Sequence, residues 1–431
     1  MDILFYVLSA LMGLILLFLL FLLLFQFLFI AFAPLKPRKF KPDPNLRKFA
    51  IIIPAHNESS VIKGTVEHLL SKLDYPRELY DVFVCADNCT DDTFDLAKQA
   101  GAICYKRFEE DPSKRKASYP IKLLIDEVLK SDKGYDAVIK FDADNIPCAS
   151  YLRVMNDALG EGVEIARAHE APSNMGQNVW TSVSSCYYAR DSRLACNFRE
   201  RVGWNSMLSG AGMMVSTKVL RETGGWDAMG GIDDSEFTIR RLKERRHINY
   251  VADAIVYEDQ PSSHADSSAR NARMANALAK LYREDAFNLL GLFFKTGKLT
   301  YLDMFAQLSF VPLPLLLGIS IPLYLVFFFV TFGLEAGGID VYSFLSQSMA
   351  INSMIGVATT AAAFLLFYYC VWTYQSWIGV YLDREYLGKD WYKQAKKGIW
   401  LGAFVMLSYG ASVSEGTRKR KVAWKQIKRN R

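Results

Sequence analysis

The sequence predicts an α/β domain built on a mostly parallel sheet and set between transmembrane and interfacial helices. Three observations carry this. Between residues 45 and 285, short β-rich runs alternate with helical patterns, as repeated βα units do. Apolar residues crowd the two ends of the 431-residue chain, which is 51% hydrophobic, while the middle is composed like a soluble protein. Sets of polar residues follow the first, second and fourth β-rich runs, which in a parallel sheet puts them on one rim, beyond the carboxyl ends of the strands.

Residues 1–33 form the first element. From Ile3 to Ala33 only Tyr6, Ser9 and Gln26 interrupt an uncharged apolar run, more than the roughly 20 residues a bilayer-spanning helix needs. A basic n-region and a small-residue cleavage site are missing, so the segment reads as a retained anchor, with a cleaved signal as the alternative. Residues 34–48, "PLKPRKFKPDPNLRK", are a basic linker that the positive-inside rule keeps in the cytosol. The domain at 49–284 follows and is expected to be cytosolic. Its strands are "FAIIIPAH", "DVFVCAD", "GAICYKR" and "YDAVIKFDAD", and its helices begin near Glu58, Asp91 and Tyr119. The polar sets on the rim are His56-Asn57-Glu58, Asp87-Asn88 and Asp142-Ala143-Asp144.

Residues 285–300, with charged edges and a short apolar centre, read as an interfacial helix. The C-terminal membrane region is 301–413. Segment 303–331 crosses outward, its prolines tolerated where neighbours satisfy the freed carbonyls, and 349–376 returns. "GIWLGAFVMLSYGASV" (398–413) is read as re-entrant or interfacial, because crossing would carry "TRKRKVAWKQIKRNR" outside. Residues 414–431 are then a basic cytosolic tail. Within it Trp424 belongs to an amphipathic membrane-surface segment, the alternative, by resemblance to a known family, being a tail that folds back on the central domain. The expected location is the cell membrane, multi-pass.

The net charge of +6 sits beside the membrane segments, where anionic lipid attracts it, and no nucleic-acid-reading motif accompanies it. The seven cysteines form neither a C-x-x-C pair nor a disulfide ladder; as small buried hydrophobes they suit a reducing compartment. A Ser-His-Asp or Cys-His nucleophile arrangement is not found either.

"KFDADNIP" (140–147) carries the chemistry. Side chains two apart on an extended strand point the same way, so Asp142 and Asp144 face one cavity. Two such carboxylates repel unless a cation or proton lies between them. Hard oxygen ligands without histidine or thiolate favour Mg2+ or Mn2+, ions that bridge carboxylates to substrate phosphates. Strand-end acids also serve as turn or helix caps, and that reading stays open for the pair alone.

Taken in order, "IIIPAHNE", "CADNCTDDT", "KRKASYPIK", "VIKFDADN" and "GGWDAMGGIDDSEFTIRRL" resemble the family 2 glycosyltransferases over about 49–275. That resemblance implies an inverting enzyme with a nucleotide-binding, Rossmann-like GT-A domain. The flanking apolar segments are similar to the membrane polysaccharide-synthase branch of cellulose, chitin, hyaluronan and poly-N-acetylglucosamine synthases.

The resemblance implies roles position by position. Pro54, Asn57 and Glu58 lie in the first nucleotide contact, Asp87 at the acid that recognises uracil, and Lys116 near the diphosphate. Asp142 and Asp144 match the metal-binding acids, Asp142 also meeting the nucleotide. Asp234 stands at the general base, and Asp233 replaces the usual glutamate beside it. Asp233, Trp226 and Gly212 fall in the part that forms the acceptor site, as do Trp180, Tyr187, Tyr188 and Trp204. Acids at the start of "DDSEFTIRRLKERR" equally complement a helix dipole.

Polymerising members carry Gln-x-x-Arg-Trp after the base. The stretch here is Arg270-Asn271-Ala272-Arg273-Met274, which keeps Arg273 for the diphosphate, adds Arg270 and loses the tryptophan. The resemblance therefore implies a UDP-sugar donor and a growing β-linked polysaccharide, extended beside membrane lipid and coupled to export, with single addition onto a lipid-linked acceptor as the alternative. Accessory export subunits or a homo-oligomer are further expected partners. A catalytically silent glycan-binding or export subunit is the rival reading, against which intact Asp142, Asp144 and Asp234 argue.

Overall fold

The computed structural model describes residues 2–310, 313–339 and 347–418. Trp424 and most of the expected basic tail lie outside them. One eight-stranded sheet runs β3-β2-β1-β4-β7-β6-β8-β5. Its strands are β1 (Phe49–Ala55), β2 (Tyr80–Asp87), β3 (Ile103–Arg107), β4 (Ala137–Lys140), β5 (Ile146–Pro147), β6 (Ile165–Pro172), β7 (Met213–Ser216) and β8 (Asn249–Glu258). Strands β1–β2, β1–β4, β2–β3 and β6–β8 pair in parallel. Strand β7 runs antiparallel to both β4 and β6, and β5 runs antiparallel to β8.

Strand β1 is apolar throughout because both of its faces are covered. Phe49, Ile51 and Ile53 pack with Ile62, Val66 and Leu69 of helix Ile62–Lys72 on one face. Ala50 and Ile52 pack with Ile121, Leu124 and Val128 of helix Ser118–Lys130 on the other. The turns after β1 and β2 both bend through an asparagine in the left-handed region, Asn57 at φ 55° and Asn88 at φ 51°. Asparagine enters that region more readily than most residues because its short amide bonds locally. Here Asn57 Oδ1 accepts from Thr90 N at 2.8 Å and Asn88 Oδ1 from Glu109 N at 2.7 Å, tying the strand ends into one rim.

Helix Asp2–Ala31 runs for 30 residues. Its Leu22, Phe25 and Phe29 bury against Leu194, Ala195 and Phe198. Three expectations about the membrane region change. The helix expected over 285–300 is the second half of a 33-residue helix, His264–Thr296, capped by Ser263 on Asp266 N and ended by Gly297 at φ 67°. Segment 303–331 is two helices, Leu299–Ser309 and Leu313–Ala336. The first stays on the catalytic domain because buried Asp303 accepts from Arg199 Nε at 2.7 Å, so a span starts only beyond it. The returning helix, Gln347–Leu387, has 41 residues, about 60 Å and so about twice the hydrocarbon thickness. Its far end docks on the sheet, with Asp383 buried 3.2 Å from His169 Nε2. By length and composition, helix Asp2–Ala31 and the stretch from Ala350 are apolar enough to cross a membrane. Gly402–Ser408 and Gly410–Arg418 are separate helices of 7 and 9 residues, each too short to span.

Candidate active site

Strand β4 ends at Lys140, and the chain then turns, with Asn145 N donating to the Asp142 carbonyl at 3.1 Å. Asp142 and Asp144 therefore sit on a turn, not on the extended strand that was to aim them together. Asp142 Oδ1 accepts from Lys140 Nζ at 2.7 Å and its side chain is 44% exposed. Asp144 is buried; its two oxygens accept from Asn145 Nδ2 and Asp259 N, each at 3.3 Å.

Lys140 is the residue that the sequence reading missed. It is buried at the end of a fully buried strand, yet its ammonium stays charged among Asp142, Asp233 and Asp234. Gly210 marks the meeting point. A Cβ there would lie 2.6 Å from Lys140 Nζ and 3.6 Å from both Asp142 Oδ2 and Asp234 Oδ2, so a side chain would displace the ammonium from between the acids.

Asp233 and Asp234 open helix Asp233–Lys243, whose basic last turn complements them along the dipole. Asp234 Oδ1 accepts from Ser235 N at 2.6 Å, leaving Oδ2 towards Gly210. Burial pushes its carboxyl up, with Lys140 pulling the other way. The same burial, again opposed by Lys140, raises Asp233 to about 7, and its Oδ2 is buried without a hydrogen-bond partner among the described residues.

The nucleotide candidates divide. Pro54 is half-buried in β1, paired with Cys85 of β2. The Asn57 and Glu58 backbone amides accept their places from β2's loop, donating to Cys89 Sγ at 3.3 Å and Thr93 Oγ1 at 2.8 Å. Asp87 is held through Oδ1 by Arg107 Nη1 at 2.6 Å, a partner that sequence spacing did not single out. Lys116 crosses from its own loop to donate to the Met229 carbonyl at 3.4 Å, close ahead of the Asp233–Asp234 pair. Arg270 Nη1 donates to Gln260 Oε1 at 2.7 Å while its Nε is buried without a partner. Arg273 has no hydrogen bond or ion pair among the described residues; burial and Arg270 lower its guanidinium, and Asp142 raises it. The two arginines lie three residues apart on helix His264–Thr296, and Asp142 is near enough to Arg273 to act on its charge.

Two acceptor candidates are enclosed by the core. Trp226 is 2% exposed, and its ring stacks on Phe237 at 4.4 Å and 9°, so both its face and its edge belong to the core. Gly212 is a turn glycine at φ 72°, boxed in where a Cβ would meet Tyr151 Oη at 2.8 Å and Ala168 at 3.2 Å. Of the two glycines before β7, Gly210 reaches the acids. Trp204 packs on Phe198, and the Tyr188 hydroxyl donates to Glu258.

The acid turn suits a hard divalent cation. It offers oxygen donors and no histidine or thiolate, and no cluster of three or more His, Cys, Asp or Glu occurs among the described residues. That fits an ion that takes a few carboxylates and completes its shell with phosphate oxygens and water.

The chain is similar to the probable glycosyltransferase YdaM of Bacillus subtilis, 27% identical over 237 residues covering 51% of this chain and 52% of that protein. It is also similar to the beta-monoglucosyldiacylglycerol synthase of Synechocystis, 30% identical over 193 residues covering 44% of this chain and 39% of that one. The chain thus spans about half the length, or less, of these curated relatives. Among solved structures, the mannosyltransferase PcManGT of Pyrobaculum calidifontis, in complex with GDP-Man and Mn2+, superposes with a TM-score of 0.56. At 15% identity, over 88% of this chain and 99% of that one, this likeness establishes the GT-A fold. The family model for glycosyltransferase like family 2 matches residues 44–277, more than half of the sequence, and the chain belongs to that family.

Proposed function

We propose that this chain is a membrane-embedded inverting glycosyltransferase that moves a sugar from a UDP-sugar to a hydroxyl held at the cytosolic membrane face. The observation that supports it most is the meeting of Lys140, Asp142 and Asp234 around Gly210. Residues 2–31 and the apolar helices after 313 anchor it in the cell membrane, with basic linkers on the cytosolic side.

In this reading Asp234 Oδ2 takes the proton of the attacking hydroxyl, and the raised pKa of that buried carboxyl suits a base working near neutral pH. The new bond to the anomeric carbon forms as the bond to the diphosphate breaks. This single displacement turns an α-linked donor into a β-linked product. Arg273, Arg270 and Lys116 meet the charge that builds on the departing UDP. Asp142 and Asp144 would hold Mg2+ or Mn2+, which supplies further positive charge to the diphosphate. Asp87, with Oδ1 on Arg107, presents its other oxygen to the uracil edge.

A lipid-held acceptor is favoured over a polymer. With Met274 in place of a tryptophan and Trp226 inside the core, two positions expected to stack on a sugar chain do not serve. The curated relatives named beta-monoglucosyldiacylglycerol synthase support the same choice. Extension of a β-linked polysaccharide remains the second reading, supported by the membrane helices packed on the catalytic domain. Purified chain in lipid, given radiolabelled UDP-sugars with Mg2+ or Mn2+ and followed by product sizing, tests both. A short lipid-soluble product supports single addition and a polymer supports the second reading; no transfer from any donor refutes the proposal.

A further inference from the structure

The acid that ends β8 is joined to an arginine through an amide, and that amide has one way to sit. Gln260 stands two residues past β8 and is 3% exposed. Asn174 holds its backbone from both sides: Oδ1 accepts from Gln260 N at 3.0 Å, and Nδ2 donates to the Gln260 carbonyl at 2.7 Å. The side-chain Nε2 donates to Glu258 Oε1 at 2.5 Å and to the Tyr188 hydroxyl oxygen at 3.2 Å, while the Tyr188 hydroxyl donates to the same Glu258 oxygen. On its other side, Gln260 Oε1 accepts from Arg270 Nη1 at 2.7 Å. A flipped amide would set its NH2 against the guanidinium donors and its oxygen against the carboxylate. Glu258 and Tyr188 thus fix the amide, and the amide aims Arg270.

An amide does here what a carboxylate in its place would not. A carboxylate set on the guanidinium would hold it as firmly, but would also cancel its charge. Arg270 has no ion pair among the described residues, and Glu258 Oε1 is taken up by the amide and the phenol. The guanidinium is therefore oriented with its charge uncompensated, and its Nε–H, buried without a partner among the described residues, is left to donate. The same short stretch touches the opposite pole of the site, since Asp259 N donates to Asp144 Oδ2 at 3.3 Å. The chain at 258–260 thus joins one of the acids proposed for the cation to one of the arginines proposed for the diphosphate.

We propose that Gln260 is a positioning residue, which aims Arg270 at the diphosphate of the sugar nucleotide without neutralising it. This rests on the nucleotide role given to Arg270 above, and the test separates the two. The full chain in detergent is titrated with UDP and with UMP in the presence of Mg2+. Gln260→Met keeps the length of the side chain and removes both of its hydrogen-bonding ends. UDP affinity should fall about tenfold and UMP affinity should stay within about twofold, because UMP lacks the second phosphate. Made on top of Arg270→Met, the same substitution should cost nothing further, as two residues acting through one contact require. Should Gln260→Met not fold, Gln260→Asn keeps an amide one methylene short of Arg270 and should weaken UDP about threefold. A loss as large without Arg270 as with it, or equal for UMP and UDP, would make Gln260 scaffold alone and overturn the proposal. Undiminished UDP affinity in the Gln260 variants, with a loss in Arg270→Met, overturns it too and leaves the nucleotide reading standing. Full UDP affinity in Arg270→Met overturns that reading and this proposal together.

Discussion

Replacing Lys140 by methionine removes the buried cation that lies among the proposed catalytic acids. Its ammonium lies 2.7 Å from Asp142 Oδ1, where two unit charges at an effective dielectric of about 20 attract by about 6 kcal/mol. Asp142 is 44% exposed, so solvent screening and the cost of burying the ammonium cut the net value to about 2–3 kcal/mol. Methionine fills the same volume, so the remaining effect is on charge. Burial already raises Asp233, to about 7, and Asp234, and Lys140 opposes both rises. Without it both carboxyls rise further. A carboxyl with a raised folded pKa binds its proton more tightly folded than unfolded. Its contribution is whole below the unfolded value of about 4 and is lost as pH climbs through the folded value. The stability deficit of Lys140→Met should therefore be about 2–3 kcal/mol near pH 8 and smaller near pH 5, where protonation of Asp233 and Asp234 relieves their part of the lost charge. The acid limb of kcat/KM should move to higher pH, and activity at pH 7 should fall about 100-fold. Denaturant melts and pH–rate profiles of the full chain in detergent read both. A deficit equal at every pH, with an unmoved acid limb, would refute the role given to Lys140.

Asp234→Asn should lower sugar transfer about 1,000-fold or more while leaving UDP affinity within about twofold, measured by radiolabel transfer and nucleotide titration. Arg273→Ala removes a guanidinium that has no partner among the described residues, so thermal stability should hold while UDP affinity falls about 10- to 100-fold and UMP affinity changes little. Trp226→Ala should cost about 3–5 kcal/mol of stability, seen in melts, because it empties the stack on Phe237. The milder Trp226→Phe should leave the acceptor KM unchanged, and a raised KM would return that ring to the acceptor surface.

The first half of the catalytic domain was legible because its physics is local. Strands β1 to β4 are apolar runs that end in polar turns, and each end fell within a few residues of the expected one. Strand β6, "IARAHEAP", hid itself by burying Arg167, His169 and Glu170. Its partners Asp191, Asp383 and Ser209 lie between 24 and 214 residues away, so no window along the chain could have announced them. Trp226 misled for the same reason: two glycines before it suggested an open surface, and Phe237 arrived from the next helix to cover it. Two misses did carry local signals. Lys140 stands two residues before Asp142, and helix His264–Thr296 has a serine N-cap and a glycine stop that bound it in full.

How the catalytic domain meets the long apolar helices also follows from these buried polar pairs. Apolar contact alone is non-directional and would let the sheet slide along helix Gln347–Leu387. Gln375 and Asp383 are eight residues apart on that helix, just over two turns, and so share one face about 12 Å apart. Arg190 holds the first and His169 the second, while Arg199 grips Asp303 of a separate helix. A sheet fixed at three such points has one register against the helices, since sliding would leave each buried group unpaired. The depth of Asp234 relative to the apolar spans is set by this register. For the lipid-held acceptor proposed above that depth must be held, and polar contacts, unlike packed hydrocarbon, can hold it.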